Sequence, residues 1–157
     1  MGPVEKAMTN FGRLAALMVA LALGGCRQHT QSNGAYQMTA DQVLRDECSL
    51  APEVHGVWNG ALRVLGDVVW LDSDVFGIEL RGQYARQLET FTADGSGANI
   101  PTPVGGQACE VSFVNVHLDG VTDSPTAFHG TFRIQYDTQV PDRCTCQMWA
   151  TYRAVMK

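Results

Sequence analysis

From Phe128 to Asp137 apolar and polar positions alternate without a break, with Phe128, Gly130, Phe132, Ile134 and Tyr136 set against His129, Thr131, Arg133, Gln135 and Asp137. A period of two is that of a strand with one face in a core and the other in water. The same period runs through Val54, Gly56, Trp58, Gly60, Leu62 and Val64, and again through Ile78, Leu80, Gly82 and Tyr84. Gly66-Asp67 predicts a turn into a short apolar run, Val68 to Leu71. Gln87 to Thr92 is expected to pair back on the strand before it. Cys109 to Leu118 and Cys144 to about Met156 predict two more strands around the Phe128 to Tyr136 strand.

Two stretches break the pattern. In MTADQVLRDECSLAP, Thr39 is followed three residues later by Gln42, a capping-box spacing, and Pro52 is a terminator, so a short helix over about 40–48 is predicted. ADGSGANIPTPVGGQ, Ala93 to Gln107, reads as a long Gly/Pro loop and as the first place to look for a binding edge. Six to eight strands with no helix between consecutive ones predict an all-β domain, an antiparallel meander closed into a small β-barrel or folded into a β-sandwich. Gly56, Gly60, Gly82 and Gly130, all inside strand patterns, favour the barrel because closure needs sharp local coiling.

The N-terminus follows a different logic. Lys6 and Arg13 precede an apolar run from Leu14 to Leu23, then Gly24, Gly25 and Cys26. The run is about half the ~20 residues that a bilayer-spanning helix requires, which makes it the apolar centre of a secretory signal. Leu23-Gly24-Gly25-Cys26 resembles the lipobox of bacterial lipoproteins. That resemblance implies a signal peptide over 1–25, removal of the chain before Cys26, and diacylglycerol on the Cys26 thiol, which becomes the first residue of the mature protein. It also implies a membrane partner reached through that lipid and a place in the bacterial cell envelope. Arg27, where an Asp would signal retention, points to the outer membrane. Residues 26–38 are then a lipidated polar tether, since RQHTQSNGAYQ has almost no aliphatic content, and 39–157 a single β domain.

Charged residues make up only 17% of the chain. Removing 1–25 takes Lys6, Arg13 and Glu5, leaving 11 − 2 = 9 basic against 16 − 1 = 15 acidic residues, a net charge of −6. Such a surface repels nucleic acid. With Cys26 assigned to lipid, four cysteines remain, Cys48, Cys109, Cys144 and Cys146, an even number that predicts two disulfides outside the cytoplasm. Residues two apart in a strand stand at the limit of bridge geometry, so Cys144 and Cys146 are expected to reach different partners, Cys48 or Cys109. A zinc or copper site built on Cys144-x-Cys146, Cys109 and one of His55, His117 or His129 has the right ligand types, but the CxC spacing is tight and oxidation competes for the thiols. No metal and no cofactor are therefore expected.

Gly56-Val57-Trp58 is similar to the GxW that opens lipocalin-like (calycin) barrels. The resemblance implies a binding role for Trp58, with a basic residue of a late strand, Arg153, packed across the indole. Asp94-Gly95-Ser96-Gly97-Ala98-Asn99 and Asp72-Ser73-Asp74 lack EF-hand order and read as turns. Ser96 lacks the GxSxG context, and there is no HExxH, P-loop or dinucleotide fingerprint, so no catalytic residue is assigned. The expected function is a non-catalytic binding or structural role in the envelope, with an envelope protein or a small apolar ligand as partner. Two alternatives stand beside it: an inhibitor of an exported hydrolase acting through 93–107, and a calycin-like carrier of a small ligand.

Overall fold

A computed structural model describes residues 29–48, 57–74, 77–104, 107–137 and 145–157. They form eight strands: β1 (Gly34–Asp46), β2 (Val57–Leu65), β3 (Val68–Ser73), β4 (Glu79–Ala85), β5 (Thr90–Val104), β6 (Gln107–Ser124), β7 (Ala127–Asp137) and β8 (Cys146–Met156). Each strand pairs antiparallel with the next and β8 returns to β1, which closes an all-β barrel. Closure pairs the first and last strands and so removes the open edges of a flat sheet.

The strand periods place the core inside. Met38, Leu62, Leu71, Leu80, Leu118 and Met148 are fully buried, and outward neighbours such as Arg63, Asp72, Glu79 and Arg81 are exposed. At the centre stands Phe128, with ring centroids 5.0 Å from Tyr36, 5.2 Å from Phe91 and 5.9 Å from Tyr152. Gly120 and Gly130 face each other across β6 and β7, the first making room for the Phe91 ring and the second for the close approach of the β6 backbone. A Cβ on Gly120 would meet the Phe91 ring at 2.3 Å, and one on Gly130 would meet the Asp119 carbonyl oxygen at 1.8 Å.

On the outer wall, paired residues form one continuous row: Arg63, Trp70, Arg81, Asp94, His117, Arg133, Trp149 and Arg45, one from each strand. The row starts one position past the pairing of Leu62 with Gly34 and returns to β1 at Arg45, near its other end. One circuit thus climbs most of β1, the stagger that tilts the strands of a closed barrel.

Strand direction gives the barrel two distinct ends. The proximal end holds the turns at 66–67, 86–89 and 125–126, together with the incoming chain at 29–33 and Lys157. The distal end holds the connections that leave β1, β3, β5 and β7.

Three expectations need correction. Residues 40–46 are strand, not helix: β1 pairs with β8 through Asp46. Register shifts between Ala40 and Gln42 and between Val43 and Arg45 break the alternation, which is why Val43-Leu44 looks helical in the sequence. The tether expected to run to residue 38 is packed from His29 onward, with Gln31, Tyr36 and Met38 buried. Ala93 to Gln107 is for the most part no loop, because β5 continues to Val104 and pairs with β6 along its length. The signal peptide over 1–25, Cys26 and Cys144 lie outside the described residues.

Candidate functional site

A polar plug closes the proximal end. The Gln31 side chain donates from Nε2 to the Tyr36 hydroxyl at 2.7 Å and to the Pro125 carbonyl at 3.0 Å, and Tyr36 donates onward to the Ser32 carbonyl at 2.7 Å. Tyr84 donates its hydroxyl to the His29 carbonyl at 3.0 Å and accepts from the Gln31 amide and from Thr122. The Ser32 amide donates to the Pro125 carbonyl at 2.8 Å. Burial raises the Tyr36 pKa above the usual tyrosine value, opposed by the Gln31 hydrogen bond and reinforced by Tyr84. Polar residues thus do at this end what apolar ones do in the core, because the buried Gln31 Nε2 and the Tyr36 and Tyr84 hydroxyls find partners inside the segment or on the strands below it, while Gln31 Oε1 has none among the described residues.

The neighbouring turns are tied to that plug. Arg86 donates from Nε to the Asp67 carboxylate at 3.1 Å and from Nη2 to the Gly66 carbonyl at 2.7 Å, joining the β2–β3 turn to the β4–β5 turn. Glu89, in the left-handed region at φ 54°, receives the His29 amide on its carboxylate and the Thr122 amide on its carbonyl. Leu65 and Leu88 on these turns are the most exposed large apolar side chains among the described residues, at 74% and 72%.

Histidines organise the wall between β5 and β8. His117 has Asp94 2.6 Å from Nδ1 and Asp119 3.2 Å from Nε2. The hydrogen bond to Asp94 raises its pKa most, against a smaller lowering by burial, and Asp119 adds to the rise. Both ring nitrogens therefore face carboxylates, an arrangement that favours the protonated ring, which can donate to both. Ser96 lines the same cleft of about 360 Å³, with Asn115, Arg133 and Gln135. A second cleft, of about 570 Å³, runs past Asp41, Asp119, Asp123, His129 and Arg153. His129 pairs there with Asp123 at 2.8 Å, and Arg153 with Asp41 at 3.0 Å. Two guanidinium groups, of Arg133 and Arg45, lie over the Trp149 ring at 4.6 and 5.8 Å.

At the distal end Cys48 is bonded to Cys146, as the expectation that Cys144 and Cys146 reach different partners allows. The bridge also withdraws Cys146 as a thiolate ligand, and among the described residues no His, Cys, Asp and Glu cluster is placed to hold a metal ion. The backbone of Cys109 lies in β6, opposite Thr102. Among the described residues, β5 past Asp94 pairs only with β6, although Gly95 still lies against Leu80 and Glu79, and β6 before Phe113 pairs only with β5. The two therefore leave the barrel as a two-stranded arm, about 20 Å long beyond the pairing of Ala98 with Phe113 at ~3.3 Å per residue.

The Trp58 and Arg153 pair implied by the GxW resemblance is not formed. Trp58 points inward and meets Phe132 edge-on at 5.4 Å, while Arg153 lies on the outer face with Asp41. The indole Nε1 of Trp58 is buried with no hydrogen-bond partner among the described residues. Sequence reading missed the plug, since Gln31 and Tyr36 sit in a stretch with no apolar period. It considered His117 only as a metal ligand and missed its pairing with Asp94, which becomes a neighbour only through the β5–β6 register. No family model, no curated protein and no solved structure matches the chain.

Proposed function

We propose that the protein is a lipid-anchored component of a bacterial envelope, held through acylated Cys26, which works by binding and makes its contact with the β5–β6 arm. The arm is the observation that carries this reading. A closed barrel needs no such extension, and Gly95 to Ser112 includes a single charged residue, Glu110, in a chain whose wall is densely charged. A narrow, almost uncharged two-stranded rod suits insertion between the walls of a partner, where charged side chains would have to be desolvated. The engagement of both His117 nitrogens supports a non-catalytic role, since the imidazole that lines the cleft with Ser96 already has a carboxylate at each nitrogen. Rings packed 5.0–6.2 Å apart through the interior speak against a carried small ligand.

The inhibitor of an exported hydrolase is the narrower form of the same reading, favoured by the arm's shape. The test joins Ala98 to Phe113 through an Asn-Gly turn, which removes the arm and leaves every barrel pairing in place. Full-length protein is expected to retain its partner from an envelope extract and the shortened form to lose it. Equal capture by both would overturn the assignment to the arm.

A further inference from the structure

The proximal end carries more apolar surface than a solvated barrel mouth requires. Leu65 and Val68 are an exposed cross-strand pair beside the 66–67 turn, Leu88 lies on the 86–88 turn, and Val155 is half-exposed close to where β8 ends. At the distal end the comparable residues, among those described, are Leu44 and Phe113, on different strands. Arg86 holds the two leucine-bearing turns together, so Leu65, Val68 and Leu88 form one patch.

The incoming chain arrives beside that patch. The His29 amide is bonded to the carboxylate of Glu89, the residue that follows Leu88, and the His29 carbonyl is bonded to Tyr84. Cys26 precedes His29 by three residues, and three residues span at most ~11 Å when fully extended. Wherever Cys26 lies, it is within that radius of the plug and cannot reach the distal end, a barrel length away.

We infer that the proximal end is a membrane-docking surface, on which Leu65, Val68 and Leu88 enter the interfacial layer of the bilayer that holds the lipid of Cys26. The inference rests on the lipoprotein reading for the anchor and on the barrel geometry for the orientation. A tether of eleven polar residues would leave the domain free to tumble above the membrane. Two residues, Arg27 and Gln28, between the acylated cysteine and a hydrogen-bonded His29 do not. The apolar side chains are then those that a bilayer placed there would cover, and exposed apolar patches of this kind mark interaction surfaces. The cations of this end fit the same surface: Arg86 spends its charge on Asp67, and Lys157 is exposed toward headgroups. In this orientation the arm stands at the opposite pole, directed away from the membrane toward a partner, and the barrel sets its height.

The test uses the mature protein with its lipid, reconstituted into vesicles of phosphatidylethanolamine and phosphatidylglycerol whose acyl chains carry bromine. Three variants, Leu65→Trp, Leu88→Trp and Phe113→Trp, replace exposed side chains, so folding is expected to be kept and is checked by the Cys48–Cys146 bridge and by circular dichroism. Relative to the unsubstituted protein, the added emission of L65W and L88W is expected to shift to the blue and to be lost to bromine quenching. That of F113W at the distal end is expected to stay unquenched. Intact mass of the same samples reports the lipid on Cys26. Acylated protein in which L65W and L88W escape quenching, or in which F113W is quenched as strongly, would overturn the docking surface and leave the lipoprotein reading intact. A free Cys26 thiol on mature protein would overturn the anchor itself, and with it the inference.

Discussion

Replacing Tyr36 by Phe tests the polar plug with the least disturbance to the core. The ring keeps its place 5.0 Å from Phe128, so no cavity opens, and the change removes one oxygen atom. That oxygen accepts from Gln31 at 2.7 Å and donates to the Ser32 carbonyl at 2.7 Å. Two hydrogen bonds contribute about 2 kcal/mol net, and a buried amide left with one partner adds up to about 1 kcal/mol more. Gln31 keeps its bond to Pro125, which holds the sum near 2–3 kcal/mol and not higher. Urea unfolding at neutral pH with the disulfide intact measures it, as a lower midpoint at unchanged slope. Amide exchange of Gln31 and Ser32 should accelerate first, because their protection comes from Tyr84 and Pro125 at the same end. A loss below about 0.5 kcal/mol together with unchanged exchange at Ser32 would show that the 29–33 segment is not held by this network, against the value expected for two buried hydrogen bonds.

Three further outcomes follow from named contacts. Tyr152 and Tyr36 are buried with pKa values above the ordinary one near 10, Tyr152 well above it, chiefly through burial. Stability from these groups is complete below the unfolded value and is lost as pH rises toward the folded ones, so urea midpoints should fall above about pH 10, less steeply in Tyr152→Phe. Removing the Cys48–Cys146 bridge with the double change C48A/C146A opens a loop of 98 residues, for which the chain-entropy model gives about 4–5 kcal/mol, read by the same urea assay. The His117 ring titrates above its usual midpoint because of Asp94, and Asp94→Asn should bring the midpoint down in an NMR titration; an unmoved midpoint would remove Asp94 as the cause. Its contribution to stability, present below about pH 6.5 and lost as pH rises through the raised value, stays under about 1 kcal/mol because the pair is solvated.

The barrel was legible where one physical rule governed a strand. β7 has a wet face and a dry face along its whole length, so its alternation survives intact in the sequence. β1 failed because two register shifts, which leave Asp41 and Leu44 outside the pairing with β8, break its period of two, and the adjacent apolar pair Val43-Leu44 after Thr39-x-x-Gln42 imitates a helix start. The arm failed for another reason. Pro101 and Pro103 are excluded from central strands by their missing N–H, yet both fit here, two residues apart on a strand with β6 as its partner on one side. Hydropathy cannot find the plug at all: Gln31 is buried because Tyr36 and Pro125 lie where its amide needs them, a coincidence of three segments 5 and 94 residues from it in sequence. The leucines of the proximal turns carry no pattern either, since an exposed Leu means little until the turns that bear it are seen to share an end.

The proposed lipid on Cys26 is the premise that joins the compartment, the anchor and the orientation of the arm. Intact mass of the mature protein isolated from its native membrane, with the N-terminal peptide fragmented, tests it most directly. The account predicts that the chain begins at Cys26 and that this residue carries a diacylglyceryl group. A chain that begins elsewhere, or one in which Cys26 is an unmodified thiol, would contradict it.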